Sequence, residues 1–498
     1  MLLITLDDRS PQPKSRQIFA RIRSLIDDGT LSVGDRLPST RQLAGVLAIH
    51  RSTVALAYQE LWALGYLEVK PGARPRVRAR APLAGEAKPD DDGLIAWSEV
   101  AAPVGNGALS SFRRLRPLGS EAEQSGVIDF SSLDLDPRLL PSDALRSCMG
   151  RVLRESGDAL LSYGDPAGYW PLRQYIARRL QSHGITAGED EILITNGSQQ
   201  ALDLIFRMAA APGRSVAVES PTYDCVLPLL RLNGLRPVAV PLRSDGMDLE
   251  ALARVLDSER PVLVYTMPSF QNPAGVSTTQ DHRERLLALC EAHRTPIVED
   301  AFDEEMKYFG RVVLPIKSMD RHQSVIYCGT FSKVLFPGIR VGWVTAAREC
   351  IARLVAIRRF SDLTQNTPLQ AALCKFCEDG HYDRHISRMH RVFRRRMQVL
   401  VCELRRRVRP EWASWIEPNG GYLIWLTLTQ VRGRVADWPQ VMLRHGVRVA
   451  DGRDFFASEP GRVHLRLSIA GVDETEIAIG VRRLAAALSE IGEPEEQP

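Results

Sequence analysis

From about residue 126, short apolar segments alternate with amphipathic helical stretches as far as residue 345. The strand-like segments fall at 192–195, 215–219, 237–240, 262–266, 297–299, 324–328 and 341–345. Runs of this length, apolar on every residue rather than on alternate ones, suit strands buried on both faces. The order predicts an α/β fold with a largely parallel sheet covered by helices on both sides. From about 350 the chain reads as helical, and from Gly420 onward as mixed. A chain of 498 residues with 44% hydrophobic and 25% charged residues has material for more than one core. That composition excludes a wholly disordered, collagen-like or disulfide-stapled chain.

The segment 81–125 breaks the pattern. Ala, Pro, Gly, Asp and Ser dominate it, with an acidic run Asp90-Asp91-Asp92. It predicts a flexible linker with a short helix near 94–100. The linker divides the chain into a head, 1–80, and a body, 126–498. The body divides further into a large subdomain, about 150–350, and a small C-terminal one, about 385–498. The formal net charge of +4 is unevenly spread over these parts. The head holds 13 Lys/Arg against 7 Asp/Glu, and the remainder holds 51 against 53. The N-terminus lacks a basic stretch followed by an apolar one, and no run of 18 apolar residues occurs. Eight cysteines in this length are no disulfide framework, so a reducing cytoplasm is the expected compartment.

In the head, Ile18, Phe19, Ile22, Leu25 and Ile26 recur at helical spacing and predict a helix over 15–28, stopped by Gly29. Ser39, with Gln42 three residues on, forms a capping box opening a short helix over 40–48 that carries Leu43, Val46 and Leu47. A break at Ile49-His50 precedes a helix over 52–64 with Val54, Tyr58, Leu61 and Trp62 as its apolar stripe. Residues 66–69 and 75–77, around Pro71-Gly72, predict two short strands. Three helices and a two-stranded wing make an α+β winged helix-turn-helix. The third helix fits a major groove, and its first turn offers Arg51, Ser52 and Thr53 to base edges. Arg36, Arg41 and Lys70 can hold phosphates, Ser39 and Thr40 can add contacts, and Arg74, Arg76, Arg78 and Arg80 add charge on the wing. A solvated basic face is the plainer alternative.

The body carries a second chemistry. Gly329-Thr330-Phe331-Ser332-Lys333 follows a strand, and Arg340 comes seven residues after the lysine. A pocketed Lys can form a Schiff base with an aldehyde, while Thr330, Ser332 and Arg340 can hold a phosphate. Asn196-Gly197-Ser198-Gln199 also follows a strand and opens a helix, a turn whose amides suit phosphate. Asp300 ends the apolar run Pro296-Ile297-Val298-Glu299, where a carboxylate can keep a pyridine nitrogen protonated. Asn272, before Pro273, can donate to a phenolate oxygen, and Tyr223 can stack on a ring. Each of these also has an ordinary structural explanation: a solvated Lys, a plain turn, a strand-end acid, a core aromatic.

Taken as ordered sets, the motifs resemble two families. The run from Leu31 to Ala44, with Arg51-Ser52-Thr53-Val54, is similar to the GntR-type regulators over about 12–80. Tyr163-Gly164-Asp165, Asn196-Gly197-Ser198-Gln199, Tyr223, Asn272-Pro273, Asp300, Ser332-Lys333 and Arg340 resemble fold-type I aminotransferases over about 126–498. The resemblance implies pyridoxal 5'-phosphate as cofactor, with Lys333 as its Schiff-base amine. It implies Arg466, in Val463-His464-Leu465-Arg466-Leu467-Ser468, as the clamp for an effector's α-carboxylate, and Tyr163 as a residue reaching into a neighbouring subunit's site. Together the halves resemble the MocR-like regulators. These are typically homodimers that bind an operator in double-stranded DNA and sense the cofactor, or an amino compound that reacts with it.

Three departures from those families stand out. Ala48-Ile49-His50 replaces the usual Gly-Val-Ser, so the Ser cap of the recognition helix is missing. Pro71-Gly72-Ala73-Arg74-Pro75 replaces the usual wing tip. Asp300-Ala301-Phe302 places Phe where relatives carry a Tyr, which removes a phenol and weakens transaminase chemistry. Two other readings stay open: a working aminotransferase that also binds DNA, and a scaffold whose cofactor site is vestigial. Cys374 and Cys377 with His381 and His385 have zinc-like residue types but lie on a helical pattern, so no metal is expected. Arg384, Arg388, Arg391, Arg394, Arg395 and Arg396 form a basic helix, expected to be a solvated face.

Overall fold

The computed structural model describes residues 4–7, 10–69, 73–78, 97–115, 126–302, 304–307, 313–429 and 438–492. The chain falls into two compact units, Met1–Val100 and Ala101–Pro498. Lys70 and Arg80 lie outside the described residues.

The head has helices α1 (Lys14–Asp27), α2 (Thr40–Val46) and α3 (Arg51–Ala63), then an antiparallel pair, β1 (Leu67–Glu68) and β2 (Arg76–Val77). Its core gathers Ile18, Ile22, Leu43, Val54, Tyr58, Leu61 and Tyr66. The capping box forms: Ser39 Oγ accepts from the Gln42 amide at 3.3 Å, and Gln42 Oε1 accepts from the Ser39 amide at 3.1 Å. The missing serine ahead of α3 is replaced by His50, whose Nδ1 accepts from the Ser52 amide at 3.3 Å. Two residues expected inside are not: Val46 is 61% exposed and Trp62 55%. The buried face of α3 is Val54, Ala57, Tyr58 and Leu61, a complete i, i+3, i+4, i+7 set. Trp62, one residue further, is rotated about 100° away.

Two helices occupy the stretch expected to be a flexible linker, α4 (Trp97–Val100) and α5 (Pro103–Leu115). Pro103 suits the first position of α5, but Gly105 and Gly107 lower helix propensity and disguise it in the sequence.

The body follows with β3 (Ile128–Asp129), α6 (Ser142–Leu160), α7 (Trp170–Gln181), β4 (Ile192–Thr195), α8 (Gly197–Ala209), β5 (Ser215–Ser220) and α9 (Val226–Leu232). Next come β6 (Arg236–Arg243), β7 (Gly246–Met247), α10 (Leu249–Glu259), β8 (Leu263–Thr266), α11 (Gln280–Ala292), β9 (Ile297–Asp300), β10 (Val325–Thr330) and β11 (Gly342–Thr345). Helices α12 (Arg348–Asp362), α13 (Thr367–Glu378) and α14 (His381–Arg407) lead to β12 (Ala413–Trp415) and β13 (Leu423–Leu428). The chain closes with α15 (Trp438–Arg444), β14 (Val447–Arg448), β15 (Ala450–Asp451), β16 (His464–Ser468) and α16 (Glu474–Gly492).

All seven strand-like segments form strands of one sheet, ordered β4-β11-β10-β9-β8-β5-β6-β7. Strands β10, β9, β8, β5 and β6 run parallel; β11 is antiparallel to both its neighbours. Glu219, Thr266, Asp300 and Thr330 therefore come to the carboxyl ends of adjacent strands, where open α/β sheets bind ligands. A smaller antiparallel sheet, β12-β13-β16-β15, carries Arg466. Helix α5 packs on α9, and β3 pairs with β14, so the first strand of the body belongs with its C-terminal part.

The basic helix α14 is not uniformly solvated. Arg396 is buried and donates to Asp136 Oδ2 at 2.6 Å, while Arg138 donates to Oδ1 at 2.8 Å. Burial alone would push the Asp136 carboxyl up, but the hydrogen bonds from Arg138 and Arg396 outweigh it and hold it below the usual range. Asp136→Ala leaves Arg396 buried and unpaired, and should lower the unfolding free energy by about 3 kcal/mol at pH 7 in urea titrations. A carboxyl depressed in the folded state stabilises above its unfolded value. The difference from wild type should therefore shrink as pH falls below about 4.

Candidate functional site

Lys333 follows β10 and is half-buried, and burial lowers its ammonium below the ordinary range. Arg340, Arg466, Asp134 and Asp224 lie within electrostatic reach of it, and its charge in turn pulls on Asp300. Asp300, Arg340 and Arg466 thus lie around one amine.

On one side lies a cradle. Gly197 opens α8 with φ +76°, and the guanidinium of Arg340 lies over it: a Cβ there would meet Nη2 at 2.7 Å. Arg340 itself takes a left-handed backbone, φ +50°, and donates to the Asn196 carbonyl at 3.0 Å. Thr330 Oγ1 accepts from the Ser332 amide at 3.1 Å and donates to the Val341 carbonyl at 3.3 Å. Ser332 Oγ is buried with no hydrogen-bond partner. Ser198 and Gln199 occupy the first turn of α8, where free amides and the positive helix end favour an anion.

On the other side lie ring-facing groups. Asp300 is buried, and the phenol of Tyr265 donates to its Oδ2 at 2.8 Å, while Oδ1 has no partner. Burial pushes the Asp300 carboxyl up to about 6, against the pull of Tyr265 and Lys333. Tyr223 donates to Gln199 Oε1 at 3.2 Å. Arg466 is buried on β16, donating to Asn272 Oδ1 at 3.2 Å and to the Ser131 carbonyl at 2.6 Å. Its guanidinium carbon sits 5.0 Å from the centre of the Phe455 ring, and its Nε has no partner. Phe302 is buried edge-on to Tyr422, with ring centres 6.5 Å apart.

The donor set fits a phosphorylated pyridine aldehyde. There is an amine with lowered pKa, a cradle open only because Gly197 lacks a side chain, and an unpartnered carboxylate oxygen. Two further unpartnered polar atoms, Ser332 Oγ and Arg466 Nε, stand at the two ends. Tyr163 alone is not drawn in; it stands 82% exposed between α6 and α7. Sequence reasoning missed Tyr265, Ser131 and Phe455. Tyr265 had a signal, a hydroxyl in the fully buried strand Leu263–Thr266. Ser131 acts through its backbone carbonyl, which no residue type announces.

In the head, Arg36, Arg41, Arg51 and Ser52 are exposed, with Thr53 half-buried beside them. Arg51 Nε donates to Thr40 Oγ1 at 3.2 Å, tying α3 to α2. Ser39 is engaged in its capping box. Arg74, Arg76 and Arg78 are exposed on the wing. The zinc-like residues do not assemble: His385 donates to the Val334 carbonyl at 2.8 Å, and burial pushes the Cys374 thiol up to about 12. Cys148, Asp379 and His381 do come together, but Asp379 is already held by Arg151 at 3.0 Å and Lys375 at 3.1 Å.

Residues 128–484 match the family described as aminotransferase class I and II, and residues 14–77 match the gntR family of bacterial regulatory proteins. The chain is 36% identical over 404 residues to a 2-aminoadipate transaminase of Thermus thermophilus, covering 79% of this chain and 98% of that protein. It is 30% identical over 492 residues to the probable rhizopine catabolism regulatory protein MocR of Rhizobium meliloti, covering 97% and 96%. Among solved structures, the α-aminoadipate aminotransferase LysN of Thermus thermophilus, complexed with N-(5'-phosphopyridoxyl)-L-leucine, superposes with a TM-score of 0.73. That pair shares 33% identity over 80% of this chain and 99% of the other.

Gly197→Ala should both strain the left-handed backbone and push Arg340 from its place, costing about 1–2 kcal/mol in urea unfolding. Gly338→Ala, with no atom within 4 Å of the added carbon, should change stability by less than about 0.5 kcal/mol.

Proposed function

The chain belongs to the class I and II aminotransferase family and, with its gntR-type head, to the MocR-type regulators; from that premise we propose that it is a transcription regulator binding double-stranded DNA and pyridoxal 5'-phosphate. It senses the cofactor itself, or a small amine or amino acid that reacts with it. The observation that carries this reading is the half-buried amine of Lys333, with Asp300, Arg340 and Arg466 within electrostatic reach, in a chain that also presents Arg51 on an exposed helix start.

When bound, the cofactor supplies an aldehyde that condenses with amines and a ring that draws electrons. Lys333, its charge disfavoured by burial, offers a nucleophilic amine. Gly197, Ser198, Gln199, Thr330, Ser332 and Arg340 hold the phosphate. Asp300, at about 6, is ionised at neutral pH and keeps a proton on the facing ring nitrogen. Tyr223, its hydroxyl bonded to Gln199, would stack on the ring. Asn272, which accepts a hydrogen bond from Arg466, would donate to the ring oxygen, and Arg466 would receive the effector's carboxylate. The effector must bind two conformations of the protein with different affinity if DNA binding is to change.

A second copy of the chain completes this assembly, in a cytoplasmic homodimer. Tyr163 at 82% exposure, Phe360 at 92% and Leu161 at 73% are apolar surface of a kind that a partner subunit covers. A working aminotransferase that also binds DNA is the second reading. Lys333, Asp300, Arg340 and Arg466 are all in place for it, while Phe302 supplies no phenol. Steady-state turnover with common amino donors would favour that reading.

Purified wild-type protein should show a visible absorbance band with pyridoxal phosphate, and its affinity for its own upstream DNA should change when the cofactor is added. Lys333→Ala should lose both the band and the response while still binding DNA. A variant that responds like wild type would sink the assignment of Lys333. Arg51→Ala should weaken DNA binding about tenfold in a mobility-shift titration, and binding should fall steeply with salt.

A further inference from the structure

Glu219 ends β5 fully buried, and none of the groups bonded to it is a cation. Its Oε1 accepts from the Thr266 hydroxyl at 2.5 Å and from the Met267 amide at 3.2 Å. Its Oε2 accepts from Gln271 Nε2 at 3.0 Å. Gln271 donates as well to the Pro221 carbonyl at 2.7 Å, and its Oε1 accepts from the Ala274 amide at 2.9 Å.

Three segments therefore meet at one carboxylate. They are residues 219–221 leading to Tyr223, the end of β8, and the loop from Gln271 to Val276. Asn272 is the next residue after Gln271, and it is Asn272 that orients Arg466. Three donors converge on the two oxygens of Glu219, and a carboxylate is the side chain that only accepts. A glutamine there would set its own amide against that of Gln271; an apolar residue would leave all three donors unmet. Burial disfavours the charge, pushing the carboxyl up to about 7, with Asp300 adding to the repulsion. An acid kept at such a place without a cation answers to geometry rather than to charge pairing.

We propose that Glu219 is a positioning residue for cofactor and effector: it sets the spacing between Tyr223 and Asn272 and, through Asn272, the aim of Arg466. This rests on the roles given above to Tyr223, Asn272 and Arg466.

The test uses full-length protein and three variants. Glu219→Gln puts donor against donor; Glu219→Gln with Gln271→Glu restores that hydrogen bond but loses the one from Gln271 to the Pro221 carbonyl; Thr266→Val removes one donor and keeps the acid. The ligands are pyridoxal phosphate and N-(5'-phosphopyridoxyl)-L-leucine, titrated by absorbance and fluorescence. Hydrogen exchange of the cofactor-free protein over 267–276 provides a readout independent of either ligand. Glu219→Gln should weaken pyridoxal phosphate about tenfold, the equivalent of one hydrogen bond to a charged group. It should weaken the leucine adduct several-fold more, because the carboxylate clamp is displaced too. Exchange at the Met267 and Ala274 amides should rise about tenfold. The double variant should recover part of the loss, limited by the unmet Pro221 carbonyl, and Thr266→Val should fall between Glu219→Gln and wild type. If Glu219→Gln lowers the melting temperature but leaves both affinities and the exchange rates within about twofold, Glu219 is merely a structural acid. Should wild type bind neither ligand, the cofactor reading fails by itself, and unchanged exchange in Glu219→Gln would overturn the positioning of the loop as well.

Discussion

A carboxylate sealed at the end of a central strand is a costly group to bury, and the arrangement around it makes sense as a response to that burden. Asp300 has one oxygen satisfied by the Tyr265 phenol and the other left open. Buried charge is tolerated where a partner is present. Lys333 lies within electrostatic reach of the same carboxylate. The parallel strands on either side deliver Thr266 and Thr330 to the same edge, so the site is a consequence of sheet direction as much as of any single residue.

The site is also a knot between distant parts of the chain. Arg466 reaches from the small sheet to Asn272 in a loop of the large one and to Ser131 near the start of the body. Arg396 repeats the pattern from α14 to Asp136. Long-range polar bonds of this kind join the two parts of the body alongside a continuous apolar core that includes Phe393, Tyr422 and Leu465 together with Val218 and Val298. A ligand that draws on Arg466 therefore acts on three chain segments at once.

Much of this was legible in the sequence. The seven strands of the sheet announce themselves because strands buried on both faces are apolar throughout, and Lys333, Asp300 and Arg340 because strand ends and Gly-rich turns carry their own grammar. The capping box of Ser39 and Gln42 was legible for the same reason: local chemistry dictates it. What stayed hidden depended on tertiary partners. Helix α5 was masked by two glycines, Val46 and Trp62 face outward because Leu43 and Ala44 on one helix and Leu61 on the other fill the core, and Arg396 is buried by a partner 260 positions away. Ser131 contributes only a carbonyl, which every residue possesses.

The bond between Arg51 and Thr40 has a consequence for the head as a reader of DNA. An arginine is among the most mobile side chains, and freezing it on arrival at a base costs about 0.5–1.5 kcal/mol. With Nε donated to Thr40 Oγ1, the Arg51 side chain is tethered to α2 in the free protein. On the proposed reading, part of the entropy of recognition would thus be lost at folding, which favours discrimination between sequences over accommodation to many.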